Sequence, residues 1–286
     1  MGVTKAFLSP SGGLFSPRGA AMKLTISLLR LLVRAAALSI VTVALLPLQI
    51  IAVAISARGA LWIPVLYHWL VCRILFVRVC EIGKCASTRP LLIVSNHVSW
   101  LDISIITSTG PVSFVAKREV ASWPIFGLLA KLQRSIFVDR ERRLKSANTN
   151  NEIAGRMLSG DVIVLFAEGT SSDGKNILPF RSALIGSATQ ALSLTGQTSK
   201  IFMQPLSVAY IGAGREIAPW HGDMDLLPHL AKVLRTRRIE AVLSWGVPVV
   251  YNALTDRKEM ARRLENDVRA LTLRAAQDFE FSVQAA

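Results

Sequence analysis

The sequence predicts an α/β protein: a mixed, largely parallel sheet flanked by helices, with an N-terminal membrane-anchoring helical pair. Three observations carry that reading. From residue 91 onward, short apolar runs bounded by polar residues alternate with helical periodicities, the pattern of a sheet built through crossover connections. Clusters of charged, hydroxyl and glycine residues follow the carboxyl ends of several of these runs, where open α/β sheets place their chemistry. Upstream, residues 35–57 form a stretch of 23 without a charge, long enough to span the hydrocarbon of a bilayer.

Taken in order, residues 1–21 are rich in Gly, Ser, Pro and Ala and are expected to be disordered. Residues 22–80 form the anchoring segment. Pro47 sits inside its uncharged stretch, which admits a kinked or re-entrant path. Residues 59–79 are apolar and aromatic but carry His68, Arg73 and Arg78, the composition of an interfacial helix whose arginines snorkel to head groups. A signal peptide would have a shorter apolar core, and Ala6 stands where N-myristoylation needs Ser or Thr. Residues 81–286 make up one α/β domain. Strand-like runs fall near 91–95, 112–116, 135–138, 162–166, 201–211 and 239–245. Helical patterns lie between them at 120–132, 144–158, 181–194 and 226–234. Within 256–277, Met260, Leu264, Val268 and Leu271 share one face, predicting an amphipathic helix that covers the core.

Charge narrows the partners. Lys and Arg outnumber Asp and Glu by 33 to 19, for a net +14, and eight basic residues precede the first acidic one, Glu81. Basic charge beside apolar helices predicts contact with an anionic membrane surface. Nucleic acid is excluded as a partner: there is no zinc-ligand spacing, RNA-binding aromatic signature or basic heptad, and the hydrophobic content is 51%. One clear apolar span is too few for a transporter. The three cysteines form no CxxC pair, and no His, Asp or Glu cluster has metal-ligand spacing, so reduced thiols and neither metal nor cofactor are expected.

The densest chemistry is Asn96-His97-Val98-Ser99-Trp100-Leu101-Asp102, directly after the run Leu91 to Ser95. His97 suits a general base near neutral pH, and Asp102 suits the group that fixes its tautomer. Taken alone, the pair is equally a stitch across a turn. A second buried-strand run, Val162 to Phe166, leads into Ala167-Glu168-Gly169-Thr170-Ser171-Ser172-Asp173-Gly174, a loop suited to binding polar groups through its backbone. A third, Ile136 to Val138, ends in Asp139-Arg140.

Over residues 85–210 these features resemble, in order, the NHxxxxD-type glycerolipid acyltransferases, the family of 1-acyl-glycerol-3-phosphate acyltransferases. Asn96, His97 and Asp102 match its first motif. Lys117 and Ile136 to Arg140 resemble the region that contacts the acceptor's polar head. Phe166, Glu168, Gly169 and Thr170 match FPEGT, and Gln204-Pro205-Leu206 falls where the family has a short proline motif. Three departures stand out: Ala167 for proline, Ser171 for arginine and Arg134 for glycine. The arginine holds the phosphate of lysophosphatidic acid in members that acylate it, so Ser171 removes a bidentate phosphate partner. The loop variant, the segment Leu178 to Leu184 and Gly222-Asp223-Met224-Asp225-Leu226 resemble the bacterial lyso-ornithine lipid O-acyltransferase branch, whose lipids carry no phosphate.

The resemblance implies a membrane-associated enzyme that transfers a fatty acyl group from acyl carrier protein or acyl-coenzyme A to a lysolipid hydroxyl. The product would be ornithine lipid or, alternatively, phosphatidic acid; a catalytically inactive lipid-binding relative is the non-enzyme alternative. His97 and Asp102 would be catalytic. Asn96, Lys117, Arg140, Glu168, Gly169 and Thr170 would bind substrate, with Glu168 positioning the acceptor or capping a neighbouring backbone segment. Backbone N–H groups near the motifs would stabilise the oxyanion. The basic cluster Lys131, Arg134, Arg140, Arg142, Arg143 and Lys145 would meet anionic lipid or the carrier protein, unless it is a solvated helix face. The implied location is the bacterial inner membrane, with the catalytic domain facing the cytoplasm.

Overall fold

The computed structural model describes residues 17–56, 59–138, 143–195 and 200–284. Arg140 and Arg142 lie outside these residues, as do 1–16 of the segment expected to be disordered; residues 17–21 are already helical backbone. Two apolar helices come first, α1 (Pro17–Ala54) and α2 (Gly59–Ile74), and α1 continues through Pro47 without a break. The interfacial helix expected over 59–79 stops early. Phe76 adopts a φ of +55°, which turns the chain, and β1 (Val77–Ile82) follows. Val77 and Val79 face inward between exposed Arg78 and Cys80, a period of two that suits a strand.

The remaining elements are β2 (Leu91–Ser95), α3 (Leu101–Thr107), β3 (Ser113–Lys117), α4 (Phe126–Leu132), β4 (Ile136–Val138), α5 (Arg143–Leu158), β5 (Ile163–Phe166), α6 (Gly186–Thr195), β6 (Ile201–Ile211), α7 (Gly214–Ile217), α8 (Leu226–Arg235), β7 (Ile239–Trp245), β8 (Val249–Tyr251) and α9 (Arg257–Gln284). The helix expected over 120–132 is divided: a 3-10 turn spans Arg118–Ser122, Pro124 interrupts the helical path, and α4 starts only after Ile125 at φ +62°.

Among the described residues eight strands form one sheet, ordered β1-β7-β6-β2-β5-β3-β4, with β8 also on β6. Contacts among β2, β3, β4, β5 and β6 are parallel, whereas β7 and β8 run antiparallel to β6. The sheet is covered on both faces, so β2 is buried throughout and apolar up to Ser95. Leu92 and Val94 join Ile153, Met157, Ala188 and Leu264 under α5, α6 and α9. Leu91 and Ile93 join Leu75, Leu101, Ile105 and Val233 under α2, α3 and α8.

β6 positions the site. Pro205 has no N–H to give a ladder, and it falls where the partner on one edge changes from β8 (201–203) to β7 (206–211). Gln204 stitches that gap: its Oε1 accepts from Ala86 N (2.8 Å) and its Nε2 donates to Lys84 O and Gly246 O (both 2.9 Å). The proline motif is therefore architectural. Leu206 pairs with Ser95, the last residue of β2, so the rest of β6 runs on past the end of β2, still paired with β7, and walls the site.

Candidate active site

Asn96 terminates β2 by imitating a strand. Its Nδ2 donates to Val208 O and its Oδ1 accepts from Val208 N, both at 2.9 Å, and it is 1% exposed. With both ends of the amide engaged, Asn96 positions the turn. The chain then enters α3, with Asp102 in its first turn, where a carboxylate complements the helix dipole. Asp102 is fully buried and receives four donors. Its Oδ2 accepts from His97 Nδ1 (2.8 Å), Val98 N (2.7 Å) and Ser99 N (3.0 Å), and its Oδ1 from the Tyr210 hydroxyl (2.7 Å). Burial and the neighbouring carboxylate hold that phenol well above its ordinary pKa, so it donates.

This geometry sets the histidine tautomer. Nδ1 carries the proton toward Asp102, leaving Nε2 as the lone-pair nitrogen. The ring stacks on Phe166 at 4.0 Å and 16°, and its side chain stays 19% exposed. Among the described residues Nε2 makes no hydrogen bond, and the ring is partly exposed. Ser99 is fully buried with its Oγ accepting from Leu101 N (3.3 Å), a helix-start role that keeps it from reacting.

The second loop interlocks with the first. Ala167 N donates to Ser95 O (3.0 Å), Ser172 N to His97 O (2.8 Å), and His97 N to Glu168 Oε1 (3.2 Å). Glu168 thus caps the backbone of the histidine turn. It is 1% exposed, its Oε2 has no hydrogen-bond partner among the described residues, and burial pushes its carboxyl up to about 8 despite the His97 amide. Gly169 takes a φ of +75°, and a Cβ there would lie 3.0 Å from Arg181 Cδ and Nε. The loop therefore needs glycine, and the Arg181 guanidinium lies over it. Gly174 has the same need, with a Cβ 2.9 Å from Val98 Cγ1.

Thr170 and Lys117 are exposed at this end of the sheet, Lys117 closing β3. The amides of His97, Val98 and Ser99 all point at carboxylates, so the oxyanion donors expected near the motifs are not these three. Among the described residues no three His, Cys, Asp or Glu side chains gather as metal ligands. Tyr210 and Arg181 went unremarked as site residues in the sequence. Only proximity to the FPEGT-like loop marked Arg181, and no local signal links residue 210 to 102. Trp220 N donates to Val98 O (2.9 Å), so the loop that carries Gly222 also borders the histidine turn.

A buried His–Asp pair with an outward Nε2, backed by a loop that reads its main chain, can take a proton from an alcohol or amine beside it. Comparison with known proteins agrees. Residues 76–209 match the family model described as Acyltransferase. The lyso-ornithine lipid O-acyltransferase of Brucella abortus is 41% identical over 254 residues, covering 86% of this chain and 95% of the relative. The Rhizobium meliloti protein of the same name is 39% identical, covering 82% of each chain. In fold, the crystal structure of the 1-acyl-sn-glycerophosphate acyltransferase of Thermotoga maritima superposes with a TM-score of 0.61 at 17% identity, over 91% of this chain and 97% of that one. Likeness sustained across nearly the full length of such relatives places this chain in the acyltransferase family, and it is an acyltransferase.

Proposed function

We propose that the protein carries a fatty acyl group from a thioester donor, acyl carrier protein or coenzyme A, to the free hydroxyl of lyso-ornithine lipid. The carrying observation is the His97–Asp102 pair, whose tautomer leaves Nε2 as a base at the open end of the sheet. Nε2 takes the hydroxyl proton as the oxygen attacks the thioester carbonyl. The tetrahedral intermediate then expels the thiolate, which recovers that proton from the imidazolium. Ester and thiol are the products, and no acyl-enzyme is required.

The acceptor reading is supported by two residues of one loop. Ser171 stands where phosphate-binding members carry arginine. Arg181, lying over Gly169, brings a guanidinium back to the same loop from a different direction. An ornithine head group offers a carboxylate in place of a phosphate, and a guanidinium fork suits it. The names of the relatives from Brucella and Rhizobium point the same way.

Membrane seating follows from α1. Arg34 bonds the end of α8 through Leu234 O (3.1 Å) and Arg237 O (3.1 Å), while Gln49 Nε2 reaches Leu132 O (2.7 Å) at the end of α4. Between those points, roughly 22 Å of helix at 1.5 Å per residue, α1 lies along the catalytic domain. Its other side exposes Leu29, Leu32, Val33, Ile40 and Val43. A helix held flat against the domain supports insertion into one leaflet, the cytoplasmic one of the bacterial inner membrane.

The test is mass-spectrometric acyl transfer by membranes carrying the protein. Lyso-ornithine lipid and lysophosphatidic acid are offered with both donors, and His97→Ala serves as blank. Product from lyso-ornithine lipid, lost at least roughly 100-fold in His97→Ala, is expected. Arg181→Gln should raise the KM for that acceptor. Product from lysophosphatidic acid alone overturns the acceptor, and an active His97→Ala overturns the mechanism.

A further inference from the structure

An arginine-lined cavity lies away from the histidine. It has a volume of about 490 Å³ and is lined by Arg30, Arg34, Arg78, Arg237, Arg238 and Phe76, together with Val33. Segments far apart in sequence bring these side chains together: α1, the turn into β1 and the turn from α8 to β7. None of the lining residues is acidic. Arg238 pairs with Glu240 at the rim. Arg30 donates to Arg235 O (2.8 Å), and Arg34 to the carbonyls of 234, 236 and 237, contacts that set both guanidiniums against the partial negative charge at the end of α8 but supply no ionised counter-group.

Arg34 makes the imbalance acute. It is only 5% exposed and its guanidinium sits 4.8 Å over the Phe76 ring. Buried charges are ordinarily paired with an opposite charge, and this one shares its cavity with further cations. Phe76 keeps a positive φ, uncommon for a bulky residue, in the position that stacks it on Arg34.

We infer that this cavity binds the phosphodiester head group of an anionic phospholipid. Guanidinium forks suit phosphate oxygens, and clustered cations suit a full negative charge. The surroundings select a lipid over a free ion. Arg34 immediately precedes the uncharged stretch of α1, and the nearby Leu29, Leu32 and Val33 are about 60% exposed, as is Phe76 (60%, 63%, 59% and 59%). These side chains offer apolar contact to the chains of a bound amphiphile. The cavity also shares an end of the sheet with His97. Glu240, beside the lining arginines, pairs with Ile211 at the end of β6 that extends past the histidine turn. Across the sheet, β7 and β1 lie two to three strand spacings, roughly 10–15 Å, from β2, and the cavity sits a further stretch of about 16 Å along β6 beyond the Leu206–Ser95 pair. A phospholipid held there keeps the open end of the site at the head-group layer. The inference does not depend on which lysolipid is acylated.

The experiment uses the full chain in neutral detergent micelles and calorimetric titration with four probes: dihexanoyl phosphatidylglycerol, dihexanoyl phosphatidylcholine, inorganic phosphate and coenzyme A. The variant is Arg78→Gln with Arg237→Gln, both exposed. Saturable binding of phosphatidylglycerol, weakened about tenfold or more in the double variant, is expected. Should the double variant melt early, Arg78→Lys with Arg237→Lys keeps the charge and should retain binding. Equal binding of phosphatidylcholine, or unchanged binding in the double glutamine variant, overturns the site. Inorganic phosphate binding as tightly as phosphatidylglycerol would overturn the lipid as ligand. Competition by coenzyme A would reassign the cavity to the donor's phosphates.

Discussion

Asp102 is held by four donors that come from two places in the chain, the turn 97–99 and Tyr210 on β6, and together they limit how far the His97 ring can turn. Among the described residues Tyr210 alone donates to Oδ1, at 2.7 Å. Tyr210→Phe leaves a buried acceptor without a partner, a loss of about 1–3 kcal/mol in unfolding free energy, readable by denaturant titration. Turnover should fall with it, because the carboxylate can then rotate away from Nδ1; unchanged stability would mean that the bond is not formed. Glu168 gives a prediction of the opposite sign to the usual surface carboxylate. Its pKa is raised from 4.5 to about 8, chiefly by burial. Over that window the folded protein keeps a proton that the unfolded chain has released, so stability declines as pH rises from about 4.5 to about 8. Glu168→Gln should flatten that decline when unfolding is measured at either end of the window.

At the level of elements, the long strand β6 depends on a few small residues where its partner changes. Gly246 N donates to Pro205 O (2.8 Å), and a Cβ at 246 would lie 2.6 Å from Pro205 Cγ. Gly246→Ala therefore forces ring and strand apart and should cost about 1–3 kcal/mol, seen as a lowered Tm. An unchanged Tm would show that the turn between β7 and β8 yields freely. The elements that escaped sequence reading have physical reasons. β8 has three residues, too few for a periodicity, and β1 follows an apolar helix with no polar punctuation between them. α3 is a seven-residue helix whose inward face carries Asp102, so its pattern reads as a polar motif.

For the whole molecule, the apolar surface is concentrated on the N-terminal helices and α4. Trp62, Leu66 and Trp69 are exposed along one face of α2, and Ile125, Phe126 and Leu128 are exposed at the start of α4. An apolar surface of that extent fits the membrane seating proposed above, in which tryptophan favours the interface. Trp62→Ser with Trp69→Ser should weaken vesicle binding in a flotation assay by at least about tenfold, on the order of 1–2 kcal/mol per side chain. Binding that persists would move the contact to α1 alone. The sequence by itself determined the alternating strands, the uncharged N-terminal stretch, the His97–Asp102 pair and the glycine-bearing loop, because each is written within a few residues and obeys a local period. Only the tertiary structure decided which groups meet those residues. Asn96 bonds Val208, Tyr210 bonds Asp102, Glu168 bonds His97 and Arg34 bonds the end of α8, across separations of 112, 108, 71 and about 200 residues. Contacts of that range are chosen by how layers pack and which buried polar groups must be satisfied, and neither condition leaves a mark in local sequence.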